Sequence, residues 1–188
     1  MSAVTQVPTS QPYLSAEEFA RRFGGEHVEL VDGVVQELPM PHQRHGKISY
    51  RVAAAIGGFV DAGDLGHVTI NDSFVQTASD PDRVRGADLC YFSYERMPKG
   101  QLPDGLLPVS PDLVFEIRSP SERWNAVFTK VGEYLRAGVR AVVVIDISTL
   151  SASVYRNEEF QQIFDNGDTL TIPDVLPGFS IPVRSFFE

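Results

Sequence analysis

Two acidic residues stand where acids are costly. Glu116 interrupts the apolar run "LVFEI" (Leu113 to Ile117), and Asp88 interrupts "GADLCYF". Both runs have strand composition. Alternation puts Asp112, Val114, Glu116 and Arg118 on one face of the second run, and Leu113, Phe115 and Ile117 on the other. Two carboxylates on neighbouring buried strands repel each other and lose hydration. A cation between them relieves both penalties. Mg²⁺ or Mn²⁺ takes such oxygen ligands while keeping several waters. The competing arrangement pairs each carboxylate with an arginine, and Arg85 and Arg118 are close enough in sequence to serve.

Three more side chains could join this chemistry. Lys130 lies along one edge of an expected helix with Val127 and Tyr134, at i−3 and i+4. Its stem can be covered there while its ammonium reaches the sheet edge, which suits a lysine that orients a water or neutralises a phosphate. A solvated lysine paired with Glu133 fits the same spacing. His45 shares a helical stripe with Ile48 and Val52, where it could contact phosphate or assist proton transfer; a structural hydrogen bond is the other use. Glu29, inside an expected hairpin, is either a further acidic group of the site or a surface glutamate. His42 and His45 at i, i+3 make only a weak zinc pattern, because no cysteine accompanies them.

The elements that must position these groups can be read from pattern. Ser15 to Phe23 is an expected helix, with Ser15 and Glu18 forming a capping box. Val28 to Leu38 is a hairpin around Asp32-Gly33. His42 to Ala62 carries Ile48, Val52, Ala55, Ile56 and Phe59 at helical spacing, weakened by Gly57-Gly58. Strands are expected at His67 to Thr77 and Val84 to Phe92, then a long loop from Tyr94 to Val109, rich in Pro and Gly. Strand Leu113 to Ile117, helix Glu122 to Ala137 and strand Ala141 to Ile147 form an expected right-handed crossover. Gly138 stops the helix. "AVVVIDI" has the continuous apolar character of a strand buried on both faces. Ser153 to Arg156 and two arms around Asp165 to Asp168 complete an expected β meander. The expectation is an α/β fold: a mixed sheet with helices on its faces, an N-terminal hairpin and a C-terminal meander.

Bulk properties bound the reading. A length of 188 residues with 43% hydrophobic content suits one domain, expected over 13–188 after a polar tail at 1–12. The start, Met1 to Pro12, has no basic segment followed by an apolar one, and no run approaches a membrane span. A cytoplasmic location is the default expectation. The single cysteine, Cys90, excludes an internal disulfide and reads as a buried thiol. A net charge of −9 works against nucleic-acid binding unless a local basic patch or bound metal intervenes. There is no GxSxG elbow, no GxxxxGK[ST] loop and no GxGxxG after a strand.

The running order "ELVDGVVQELPMP", "HGKISYRVAAAI", "ADLCYF", "PDLVFEIRSPS", "KVGEYLRAGVRAVVVID", "LPGFSIPV" resembles a bacterial "putative restriction endonuclease" family, formerly a domain of unknown function, within the PD-(D/E)xK nuclease superfamily. The resemblance runs from about Tyr13 to Phe187. It implies a restriction-endonuclease-like fold and metal-dependent hydrolysis of nucleic acid, with DNA the expected substrate and Mg²⁺ or Mn²⁺ the cofactor; apolar helix faces and exposed sheet edges add the expectation of a homodimer. Asp88 matches the motif aspartate and Glu116 the acid of the (D/E)xK element, and both would be metal ligands. Arg118 stands where the superfamily has lysine, and Lys130 matches a lysine moved to the following helix. Glu29 and His45 match further recurrent polar positions. A catalytically inactive module on the same fold and a hydrolase of small phosphoesters are the alternatives.

Overall fold

The computed structural model describes residues 13–188; the expected tail at 1–12 lies outside the described residues. Helix α1 (Ala16–Phe23) begins at Ser15, whose hydroxyl accepts from the Glu18 N–H at 3.2 Å. Strands β1 (Val28–Val31) and β2 (Val34–Glu37) form the expected hairpin. Asp32 and Gly33 both take positive φ, 51° and 77°, as the tight turn between paired strands requires. Helix α2 (Gln43–Gly63) buries Ile48, Val52, Ile56 and Val60, a stripe at i, i+4, i+8, i+12.

Strands β3 (Gly66–Ala78) and β4 (Arg83–Ser93) pair antiparallel over most of their length. After the Tyr94 to Val109 loop come β5 (Leu113–Arg118), α3 (Trp124–Arg136) and β6 (Ala141–Asp146). β5 and β6 run parallel, in register from Leu113↔Ala141 to Arg118↔Asp146, so α3 is the crossover. Gly138, at φ 95°, turns the chain out of α3.

β7 (Ser151–Tyr155) and β8 (Gln162–Phe164) add antiparallel strands, giving the order β2-β1-β4-β5-β6-β7-β8, with β3 also on β4. The expected meander stops at β8. The two arms around Asp165 to Asp168 do not pair with each other. β9 (Thr169–Thr171) instead pairs with β10 (Ser180–Pro182) in a separate two-stranded sheet. Asp168 caps its own turn by accepting from the Asp165 N–H at 2.8 Å, and that turn carries the chain off the sheet edge to cover α2.

Packing explains why β5 and β6 read as they do. Leu113, Phe115, Ile117, Val143 and Ile145 face α2 and the C-terminal segment, while Val114, Val142 and Val144 face Val127, Val131 and Tyr134 of α3. All six residues of β6 are buried. A third cluster packs Phe19 of α1 on Leu30 and Val84. No helix among the described residues is long and apolar enough to cross a membrane.

Candidate metal centre and cleft

The sheet forks at β4. One edge of β4 pairs with β3. Its other edge meets β1 at Leu30↔Val84 and then β5 from Leu89↔Phe115 onward. Asp88 sits where β4 changes neighbour. Carried one residue further, the β4–β5 register sets Asp88 beside Glu116, on the face opposite Leu89 and Phe115. A cleft of about 300 Å³ opens over this fork, lined by Asp88, Glu116, His45 and Lys130 among others.

Each carboxylate commits one oxygen to the fold. Asp88 Oδ2 accepts from the Ile117 N–H at 2.7 Å, and Glu116 Oε1 accepts from the Tyr134 hydroxyl at 2.7 Å. The second oxygens are less satisfied: Asp88 Oδ1 is 3.3 Å from His45 Nε2, and Glu116 Oε2 is 3.8 Å from Lys130 Nζ. Burial pushes the Glu116 carboxyl up to about 8; the Lys130 charge opposes the rise and Asp88 adds to it. Burial works to lower His45, but its hydrogen bond to Asp88 and the charge of Asp88 leave it above the ordinary histidine value.

The arginine alternative is overturned by where the guanidinium groups go. Arg85 Nη1 donates to Glu29 at 2.7 Å, and its Nε and Nη2 donate to Glu133 at 2.6 and 3.1 Å. Arg118 donates to Asp146 at 2.9 Å and lies 4.6 Å over the Trp124 ring. Neither reaches Asp88 or Glu116. The solvated-lysine alternative for Lys130 also falls. Its ammonium is 2.9 Å from Glu29 Oε1, and Glu133 belongs to Arg85 and Arg83. Burial works to lower Lys130, but Glu116 and Glu29 raise it above the ordinary lysine value, so it stays protonated. Glu29 is 2% exposed and no surface glutamate: it bridges Lys130, Arg85 and the Gly86 N–H.

The cleft also holds groups not singled out from pattern. Asp72 lies in β3 between Ile70↔Leu89 and Ser73↔Ala87, where a bulge puts Asn71 and Asp72 at φ 66° and 53°. Burial and the Asp88 charge raise the Asp72 carboxyl. A side chain at Gly86 would start 2.9 Å from Asp72 Cβ, so the glycine makes room for it. His27 joins Asp72 at 2.9 Å and the Pro39 carbonyl at 2.9 Å. Tyr134 was visible as an apolar neighbour of Lys130; its bond to Glu116 was not. Among the described residues no group of three or more His, Cys, Asp or Glu is disposed to hold a metal. The candidate centre is the pair Asp88 and Glu116.

This architecture is a nuclease-type fold. It superposes on the structure titled "a putative nuclease belonging to DUF820 from Anabaena variabilis ATCC 29413" with a TM-score of 0.79 and 20% identity, over 93% of this chain and 97% of that one. The model of the Uma2 family, described as "Putative restriction endonuclease", matches residues 16–184, and the chain belongs to that family. No curated protein matches the chain.

Proposed function

We propose that the protein is a metal-dependent endonuclease that hydrolyses phosphodiester bonds of DNA, with Asp88 and Glu116 as ligands for Mg²⁺ or Mn²⁺. The observation that carries this reading is the convergence of two largely buried carboxylates at the fork, neither held by an arginine. Membership of a family described as restriction endonucleases supports it, since such proteins generally use divalent metal ions.

The donor set fits a hard cation. It offers two carboxylates, each with an oxygen in only a long contact, and one of them is too poorly compensated to ionise readily. A divalent cation held there supplies Lewis acidity at the scissile phosphate.

The chain's own groups supply the rest. Lys130 is protonated, so it donates: it orients the attacking water or neutralises a non-bridging phosphate oxygen. Glu29 aims Lys130 from a fixed position, being itself held by Arg85 and the Gly86 N–H. His45 orients Asp88, and Tyr134 orients Glu116. To hold a cation, Glu116 would have to give up the proton that burial keeps on it.

The test is Mn²⁺-dependent cleavage of DNA by the wild type and by Glu116→Ala. Cleavage that falls at least ~100-fold in the variant supports the reading. Cleavage that survives removes Glu116 from the mechanism, and an inactive wild type favours the non-catalytic module.

A further inference from the structure

The charge of −9 leaves a question: which surface of this acidic chain could accept a polyanion? Ten of the sixteen Lys and Arg side chains form ion pairs within the fold. Arg44, Lys47, Arg51, Arg123, Arg136 and Arg184 form none among the described residues, and three of these six lie on α2. Arg44, Lys47 and Arg51 are spaced i, i+3, i+7, so they share one exposed stripe. The stripe spans about 10 Å of helix at 1.5 Å per residue. Tyr50, 67% exposed, stands beside it.

Helix stability does not explain the stripe. The N-terminal end of a helix carries partial positive charge, which favours acids in the first turn and disfavours cations. α1 obeys this, with Glu17 and Glu18 at its start and Arg21 and Arg22 at its end. α2 has no acid in its first turn and no base in its last, and Arg44 and Lys47 crowd its positive end. Its cap, His42, makes no side-chain capping bond. Helix dipole and side chains therefore add to one positive field. That field begins beside His45, which lies 3.3 Å from Asp88.

We infer that the Arg44–Lys47–Arg51 stripe of α2 is the docking surface for the phosphate backbone of the DNA substrate, delivering the strand to the cleft at Asp88 and Glu116. The charge complementarity is local: three free cations match about three phosphates at 3.4 Å per nucleotide of one strand. The identity of the polymer rests on the nuclease reading; the surface does not.

The test is binding of a fluorescein-labelled 20-base-pair DNA duplex in EDTA, titrated across NaCl concentrations, so that no cleavage is needed. Arg44→Ala/Lys47→Ala/Arg51→Ala should weaken binding and make the log-affinity against log-salt slope shallower by about 2.7, at 0.9 per lost phosphate contact. The equal-charge control Arg21→Ala/Arg136→Ala/Arg184→Ala should keep the wild-type slope. Each single α2 substitution should remove about one unit of slope, which keeps the test open if the triple variant folds poorly.

An unchanged slope in the α2 variants overturns the inference. So does an equal loss in the control, or a wild type that ignores duplex while binding an acidic peptide. Duplex binding through α2 with no Mn²⁺-dependent cleavage would sink the nuclease reading and leave the surface standing. Cleavage with wild-type binding in the α2 triple variant would do the reverse.

Discussion

Asp112, just before β5, and Glu116, four residues further along it, meet opposite fates. Asp112 is 2% exposed and fully answered: Arg96 Nε lies at 3.0 Å, Arg140 at 3.6 Å, and the Ser93 N–H donates at 2.8 Å. Glu116 is 8% exposed and has one tyrosine hydroxyl and a lysine at 3.8 Å. Arg118 could have answered it, but is drawn away to Asp146 and Trp124. One end of the strand is compensated for stability. The other keeps charge demand open toward a cleft.

The largest effect should come from breaking the compensated end. Asp112→Ala removes the carboxylate from the Ser93 N–H and the partly buried Arg96 and should cost about 3 kcal/mol, read as the shift of the urea midpoint at constant m-value. Glu116→Gln should instead stabilise the protein at neutral pH, because the native carboxyl is held protonated there while the unfolded one is free to ionise. Equal losses at the two positions would erase the contrast.

The same contrast has a pH signature. The folded Glu116 value, about 8, lies above the ordinary 4.5. Its stabilising contribution is therefore complete below about 4.5 and is lost as pH rises through about 8. Relative to wild type, Glu116→Gln should gain melting temperature progressively as pH rises from about 5 to about 8 and hold that gain above it. A wild type and variant with parallel stability profiles would contradict the charge demand.

Divalent cation should close the gap from the other side. Saturating Mg²⁺ at about 100 times its Kd should stabilise the wild type by about 2.7 kcal/mol. The gain should grow as pH rises through about 8 and vanish in Glu116→Gln, while Asp112→Asn should keep it. The smallest expected effect is that of Tyr134→Phe. Losing its bond to Glu116 should cost about 1 kcal/mol and move the pH dependence of Mn²⁺ binding upward, as followed by calorimetry.

How far pattern carried can be judged residue by residue. Glu116 and Asp88 were legible because a charge inside an apolar run violates alternation, and the antiparallel β4–β5 register brings them together. Lys130 was placed on the right edge of its helix, but its partner was legible only once β1 lay beside β4. Glu29 was named as a candidate, but the choice between site acid and surface glutamate stayed open for the same reason: a short hairpin gives no sign of which strand will be buried, and a single bridge, Leu30↔Val84, decides it. Asp72 depended on a bulge that local pattern does not announce. The turn at Asp165 to Asp168 looked like a hairpin because its flanks are strands; that they belong to different sheets is a matter of long-range pairing.

The central claim is tested most directly by anomalous diffraction from crystals soaked in Mn²⁺ at pH 8. The expected result is a single strong peak bonded to Asp88 Oδ1 and Glu116 Oε2, with Lys130 still held by Glu29. A map with no peak at the fork, or with the two carboxylates turned apart onto separate cations of the protein, would contradict it.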